Sequence, residues 1–475
     1  MAAYESPLAT RYATAQMLDN FGDLRRAKLW RQLWIALAES ERELGVPIIE
    51  RQIEALRAHL DDVDFARVAE LEAELRHDVM AHVRAWGEKV GPEAEKIIHL
   101  GATSCFVADN AELVMIRDGL DLLMDRMYVV LDQLRAFAVA QRAQPTLAYT
   151  HYQPAQLTTV GKRACLWLQD LAMDLQSLDM LRDRIQLRGA KGTTGTQASF
   201  LSLLDGDHDK VRKLDARLAE KMGFSATVPV TGQTYPRKFD AWVLHTLAEV
   251  CASAAKFASD IRLLSHEREV EEPFGSKQIG SSAMAYKRNP MRSERICSLA
   301  RFVLSLATSP PQTHAQQWLE RTLDDSANRR LVLTEGFLAT DAVLNLMADV
   351  TAGLVVHPAV IAANMADELA FMATENVIMN GVRAGGSRQV LHERIREHSL
   401  AAVARMKEEG AANDLLDRMR GDEMLAPHVT AAAIDPARYV GRAPEQVDEF
   451  VGEVLQPLLD AHAHRRGRFR AAVSV

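Results

Sequence analysis

Where proline is missing says most about what this chain can fold into. The sequence carries 16 prolines in 475 residues, yet none lies between Pro154 and Pro229, between Pro236 and Pro273, or between Pro311 and Pro358. Proline removes a backbone donor and clashes with the preceding helical turn, so a segment that avoids it can run as a long helix. Inside the second gap, residues 237–265 also lack glycine. There Phe239, Val243, Leu247, Val250, Ala254, Phe257, Ile261 and Leu264 recur at steps of three and four, the period of a helix. Such a helix spans about 40 Å at ~1.5 Å per residue, more than a compact small domain requires. Trp242, Leu244 and Cys251 add apolar positions off the main stripe, so the helix is expected to be covered on more than one side. A helical bundle meets that requirement, with other subunits able to complete it.

Further helical stretches are expected at residues 29–44, 110–141, 160–187, 290–308 and 326–354, and strict apolar/polar alternation is sustained nowhere. No fixed repeat of 20 to 50 residues occurs, which speaks against a solenoid. The fold class read from these patterns is all-α. Polar breaks separate the helices, and past Val356 the segments shorten and turns multiply. The domain reading is therefore a helical N-terminal domain over 1–103, a central long-helix domain over 104–356, and a smaller helical domain over 357–475.

Composition excludes several classes. Hydrophobic residues at 48% and charged residues at 25% suit a globular chain. No apolar run is expected to reach the length of a bilayer span, and the start, MAAYESPLATRYAT, has neither the basic nor the apolar region of a secretory signal, so a cytoplasmic location is the default expectation. The four cysteines (105, 165, 251 and 297) form no C-x-x-C pair and suggest neither a disulfide framework nor a thiolate metal site. A net charge of -8 argues against nucleic acid as the main partner.

The polar chemistry collects in the breaks. In RHDVMAH, His77 and His82 are five apart, whereas a zinc-binding helix uses four, so a metal reading is weak; Arg76 is a candidate anion contact. In THYQPAQLTTVGKR, His151 stands on an irregular break among Thr150, Gln153, Gln156, Thr158 and Lys162. RGAKGTTGTQ offers Gly189, Gly192 and Gly195 as a weak anion-cradling turn. The densest stretch is SKQIGSSAMAYKRNPMRSE, residues 276–294. Asn289 and Pro290 are expected to open a helix as N-cap and first residue, presenting free N–H groups to an anion beside Lys287 and Arg288, while Gly275 and Gly280 leave the loop mobile as a lid. In ERTLDDSANRR, Arg321, Ser326 and Arg330 fall at or near a helix start, with Ser326 and Arg330 able to share a face.

Taken together, these motifs resemble those of the adenylosuccinate lyases of the fumarase/aspartase superfamily. The superfamily pattern, roughly G-S-S-x-M-P-x-K-x-N-P, is matched by GSSAMAYKRNP, and RHDVMAH, HLGATS, THYQPAQLTTVGKR, KGTTGTQASF, TGQTY, NPMRSER and ERTLDDSANRR match as well. One departure stands out: Ala285 replaces the proline that would stiffen the loop backbone. The resemblance implies release of fumarate from adenylosuccinate, and from the succinyl-carboxamide ribotide of purine synthesis. It implies Ser281 as base, His151 as general acid, His77 as an orienting group and Lys287 with Asn289 as stabilisers of the anionic intermediate. It further implies that Arg11, Tyr12, Arg76, Asp78, Thr103, Ser104, Gln233, Arg295, Arg321, Ser326 and Arg330 bind the nucleotide and succinyl groups. The implied assembly is a homotetramer of three-domain all-α subunits whose long helices form a shared bundle, each active site drawing on three subunits, with no cofactor or metal. Two rival readings are another fumarate-releasing lyase of the superfamily and a catalytically silent scaffold, the latter supported only by Ala285.

Overall fold

A computed structural model describes residues 4–275 and 277–473; Ser276, at the start of the polar loop, lies outside the described residues. The chain folds around α1 (Asp23–Glu43), α2 (Asp78–Val90) and α3 (Ser104–Ala140), followed by a hairpin of β1 (Pro145–Thr150) and β2 (Gln153–Thr159). Next come α4 (Val160–Asp183), α5 (Lys238–His266), the two-residue β3 (Val270–Glu271), α6 (Met291–Leu306) and α7 (Asp325–Thr351). The two-residue β4 (Val355–Val356) then pairs antiparallel with β3, and α8 (Pro358–Arg383) and α9 (Arg388–Glu409) follow. The architecture is all-α, and α4, α5 and α7 occupy the three proline gaps.

Two differences from the sequence reading have physical causes. The break at 145–159 is a β-hairpin whose second strand buries only Leu157 and Thr159, too little apolar/polar alternation for a pattern search to register. The helix expected to run to residue 187 ends at Asp183, and Leu187 instead bridges to Thr227.

Helices α1, α3, α4, α5, α6 and α7 supply one continuous apolar core, built around residues such as Leu123, Leu168, Leu247, Val303, Phe337 and Met347. Trp34 and Trp86 from the N-terminal region belong to it, and so do Val447, Leu455 and Leu459 near the C-terminus. A separate cluster from Ala370 to Ala433, including Val377, Leu391 and Leu415, forms the core of the α8–α9 region.

The expectation that no apolar segment is long enough to span a bilayer is corrected at α7, which meets the criterion by length and composition. It is nevertheless 83% buried over its most apolar window by the protein's own helices. Halfway along it Asp341 is fully buried, ion-paired with Arg126 of α3, and accepts the Thr14 N–H at 2.7 Å. A buried charge survives only with such partners.

The hairpin is aimed by the contact between the end of α3 and the start of α4. Thr159 caps α4 by accepting the Lys162 N–H at 3.0 Å, and the Gly161 N–H donates to the Gln141 carbonyl at 3.0 Å. A side chain on Gly161 would put its Cβ 2.3 Å from the Ala138 carbonyl oxygen. Gly161→Ala is therefore expected to lower unfolding stability by about 1–3 kcal/mol, as overpacking does, measured by chemical denaturation against the wild type.

Candidate active site

Helix α2 begins at a turn that the backbone makes through Arg76, held at a φ of 54°. His77 caps the helix, its Nδ1 accepting the Met80 N–H at 3.3 Å, and its Nε2 lies 3.2 Å from the Ser104 hydroxyl at the first turn of α3. Asp78 accepts the Val79 N–H at 2.8 Å through one oxygen and Nη2 of Arg330 from α7 at 3.0 Å through the other. Three helix starts thereby meet, and between them lies a cavity of about 320 Å³ lined by Arg26, Trp30, Asp78, His82, Cys105, Arg321, Ser326 and Arg330 among others. His82 packs edge-on against the Trp30 ring at 5.0 Å. Burial, with Asp109 adding to it, pushes the Cys105 thiol up to about 11 and keeps it an unreactive wall residue.

One wall of the cavity is an ion network of buried side chains. Arg237 donates to Asp325 at 2.7 Å and to both oxygens of Asp109 at 3.0 and 3.2 Å. Asp325 also accepts Arg321 Nη1 at 2.8 and 3.0 Å, so Arg321 is held against the wall through one nitrogen. Arg329 donates to Asp240 at 2.7 Å and contacts Glu112 and the Tyr235 hydroxyl. Burial alone would raise Asp109, but Arg237, Arg329 and Arg188 more than offset it and hold the carboxyl below its usual range. Sequence reasoning missed this network; its trace is a set of lone Asp and Arg residues, such as Asp109 and Asp240, interrupting helical apolar stripes.

The start of the glycine turn at 189–195 turns its amides inward. The Gly189 N–H donates to Asn110, the Ala190 N–H to Asp215, and Arg188 takes the Gly189, Gly192 and Gln233 carbonyls at 2.7 to 3.0 Å. The first two amides of the turn are thus committed internally, and the Gly189 and Gly192 carbonyls face a cation. Gln233 lies beside it, donating to the Thr193 carbonyl at 3.0 Å. Thr103 is the backbone N-cap of α3 without a side-chain capping bond.

Arg11, Tyr12 and Arg295 form a second group, lining a cavity of about 50 Å³ with the Arg295 guanidinium 5.7 Å from the Tyr12 ring. The loop of 275–290 forms a third. Ser281 Oγ accepts the Ala283 and Met284 N–H groups at 3.3 and 3.1 Å, and residues 282–288, including Ala285 and Lys287, are exposed. Asn289 is not the N-cap of α6: its side chain donates to the Gly280 carbonyl at 2.8 Å, and the helix starts after Pro290. The first amides of α6 are not free for an anion either, because buried Glu272 accepts the Arg292 and Ser293 N–H groups at 3.1 and 3.0 Å. Gly280 serves close packing rather than looseness, since a Cβ there would lie 2.2 Å from the Lys287 carbonyl oxygen. His151 stands exposed at the hairpin tip, where His151 and Tyr152 take φ values of 53° and 57° and the strands pair on either side at Thr150 and Gln153.

The structure thus gathers Asp78, Arg321, Ser326 and Arg330 around one cavity, with the His77–Ser104 contact next to Asp78. Among the described residues, no hydrogen bond or ion pair joins Ser281, Lys287 or His151 to that group or to one another.

Comparison with known proteins fits this geometry. Residues 11–304 match the family model described as lyase, and residues 370–450 match that described as adenylosuccinate lyase C-terminus. The adenylosuccinate lyase of Saccharomyces cerevisiae is 51% identical over 463 residues, covering 96% of each chain. That of Schistosoma mansoni is 49% identical, covering 97% of this chain and 96% of its own. The chain belongs to the adenylosuccinate lyase family. Among solved structures, the 3-carboxy-cis,cis-muconate lactonizing enzyme of Pseudomonas putida has a TM-score of 0.82 at 25% identity, covering 94% of this chain and 98% of its own. A fumarate lyase from Mesorhizobium gives 0.78 at 25%, covering 95% and 100%. The fold is therefore shared well beyond the adenylosuccinate lyase family.

Two histidines near the cavity make stability depend on pH. Burial, with Arg31 assisting, lowers His82 to about 4. Burial also lowers His99 to about 4, and its Nδ1 accepts the Trp34 indole N–H at 2.9 Å, which only the neutral ring can do. Both folded values lie below the ordinary value of about 6.5, so the unfolded chain binds more protons between pH 4 and 6.5. Their contribution is complete above pH ~6.5 and is lost as pH falls toward 4, by up to about 3 kcal/mol each. His99→Asn retains an acceptor and tolerates the φ of 66° at this position. The wild type is expected to lose more thermal stability than His99→Asn between pH 6.5 and 4.5.

Proposed function

We propose that this protein is an adenylosuccinate lyase, releasing fumarate from adenylosuccinate to give AMP, and from the succinyl-carboxamide ribotide by the same elimination. The observation that carries the reading is 51% identity to a named adenylosuccinate lyase over 96% of both chains. The residues required by the chemistry accompany it.

In the proposed reaction Ser281 takes the proton from the carbon next to a succinyl carboxylate, and the C–H electron pair forms the new double bond of fumarate. The C–N bond breaks, its electrons pass to the purine nitrogen, and His151 supplies the proton there. Charge building on the carboxylate is met by Lys287 and by the amide of Asn289. The N-terminus of α6 is excluded from this role because Glu272 occupies its amides. His77 orients substrate, and Arg11, Tyr12, Arg76, Asp78, Thr103, Ser104, Gln233, Arg295, Arg321, Ser326 and Arg330 bind its phosphate, ribose and succinyl groups. The positive ends of these side chains explain how an acidic protein accepts a polyanion.

The same reading makes the protein a soluble cytoplasmic homotetramer of three-domain subunits divided near residues 103 and 356. Leu166, Met173 and Met180 are exposed at seven-residue spacing on α4, and Trp242 and Leu263 are exposed on α5, an apolar face suited to packing against other copies. Gathering Ser281, His151 and the α2 cavity at one site from different copies accounts for their separation within one chain.

Purified protein is expected to release fumarate from adenylosuccinate, followed by ultraviolet absorbance. His151→Ala should lose about 10²- to 10⁴-fold in kcat, and Ser281→Ala should fall below detection while remaining folded. Wild-type-like turnover in Ser281→Ala would remove the serine from its role; a folded wild type without turnover would favour a different lyase substrate or a silent scaffold.

A further inference from the structure

Six residues between α5 and the signature loop hold four carboxyl groups, and each has partners on a different element. Glu267 accepts the Tyr152 hydroxyl at 3.4 Å, beside His151 on the hairpin tip. Glu269, fully buried, accepts Thr146 of β1 at 3.0 Å and Asn364 of α8 at 3.1 Å. Glu271 lies 3.5 Å from His357 and 3.9 Å from Arg288 at the loop's far end. Glu272, 5% exposed, accepts the Arg292 N–H through one oxygen and both the N–H and hydroxyl of Ser293 through the other, at 2.9 to 3.1 Å.

The loop therefore has a double closure. Glu272, before it, grips the first turn of α6, after it. Arg292 adds to this outer clasp, donating to the Pro273 carbonyl and pairing with Asp349 of α7 at 2.8 Å. Eight residues further in, the Asn289 amide donates to the Gly280 carbonyl, closing an inner neck. Only the tip of 281–288, with Ser281 and Lys287, projects beyond it. On the other side of the segment, Glu269 fixes β1 and so the hairpin that carries His151.

We infer that the buried carboxyl groups of Glu272 and Glu269 are positioning residues for the elimination: Glu272 sets the stem from which the Ser281 loop works, and Glu269 sets the hairpin that presents His151. The inference rests on the roles proposed above for Ser281 and His151. A carboxylate is suited to the task because both its oxygens accept, and Glu272 faces only donors. A glutamine of the same shape would turn an NH₂ group against an N–H or hydroxyl donor, leaving a buried mismatch at the stem.

The test compares Glu272→Gln and Glu269→Gln with the wild type by hydrogen exchange resolved along the chain and by turnover of adenylosuccinate. Glu272→Gln is expected to speed exchange by about tenfold or more across 275–293, and Glu269→Gln across 146–158, with α3 and α7 unchanged in both. Each variant should lose about tenfold or more in kcat while KM stays within about threefold, the pattern of misplaced catalytic groups rather than weakened binding. Arg292→Gln loosens the same stem from its exposed side and should shift exchange and kcat in the same direction as Glu272→Gln. Unchanged local exchange and unchanged kcat, or faster exchange spread over α3 and α7, would overturn the inference. Should the wild type itself not release fumarate, the functional reading fails, and the exchange arm still decides whether the two carboxyl groups hold their elements.

Discussion

Arg237, just before α5, is buried between Asp109 of α3 and Asp325 at the first residue of α7. That guanidinium joins the ends of three long helices at the cavity wall, and the placement of the surrounding polar groups follows from it. A buried ion pair gains little net stability because both charges lose water, but removing one partner strands the other at a cost of about 3–5 kcal/mol. The network therefore acts mainly as a selector of register: only one arrangement of α3, α5 and α7 satisfies Asp109, Asp240, Asp325, Arg237 and Arg329 together. Fixing that register also fixes Ser326 and Arg330 on the first turns of α7 and Arg321 just before it, on the same cavity as Asp78.

Much of this was legible in the sequence. Proline gaps and three-to-four periodicity located α4, α5 and α7, because continuous helices impose a constraint over many residues at once. Four of the residues in the clustered motifs, Asp78, Arg321, Ser326 and Arg330, do line one cavity. Features held by single long-range contacts were not legible. Nothing in NPMRSE shows that Glu272, some twenty residues earlier, takes the amides of α6 and displaces Asn289 from the capping role. The hairpin under His151 was hidden for a different reason, since its strands bury only Leu147 and Leu157 of their large apolar residues and so carry no sustained apolar alternation. The glycine turn at 189–195 illustrates a third: a motif states which backbone shapes are open, while Asn110 and Asp215 take its first two amides and Arg188 takes two of its carbonyls.

The chain divides labour between rigid and projecting parts. The cavity residues sit at or near helix starts locked by buried charges, whereas the tip of the Ser281 loop and the tip of the His151 hairpin are exposed and, among the described residues, make no hydrogen bond or ion pair with that cavity. Base and acid of an elimination must reach opposite ends of one substrate, so under the proposed roles of Ser281 and His151 a site shared between copies is the arrangement that joins them to the cavity. The exposed apolar positions of α4 and α5 offer the surface on which copies would meet, and the acidic segment between α5 and the loop keeps both projecting elements in a defined stance.

The measurement that bears most directly on this account is complementation between two inactive variants. Ser281→Ala and His151→Ala, each inactive alone, would be mixed, dissociated and reassembled, then assayed for fumarate release from adenylosuccinate. If the site takes its base and its acid from different chains, the mixture regains a clear fraction of wild-type activity, because some sites receive both intact groups. If the reassembled mixture forms mixed oligomers and stays as inactive as its parents, the base and acid come from the same chain, and the account of a shared site is wrong.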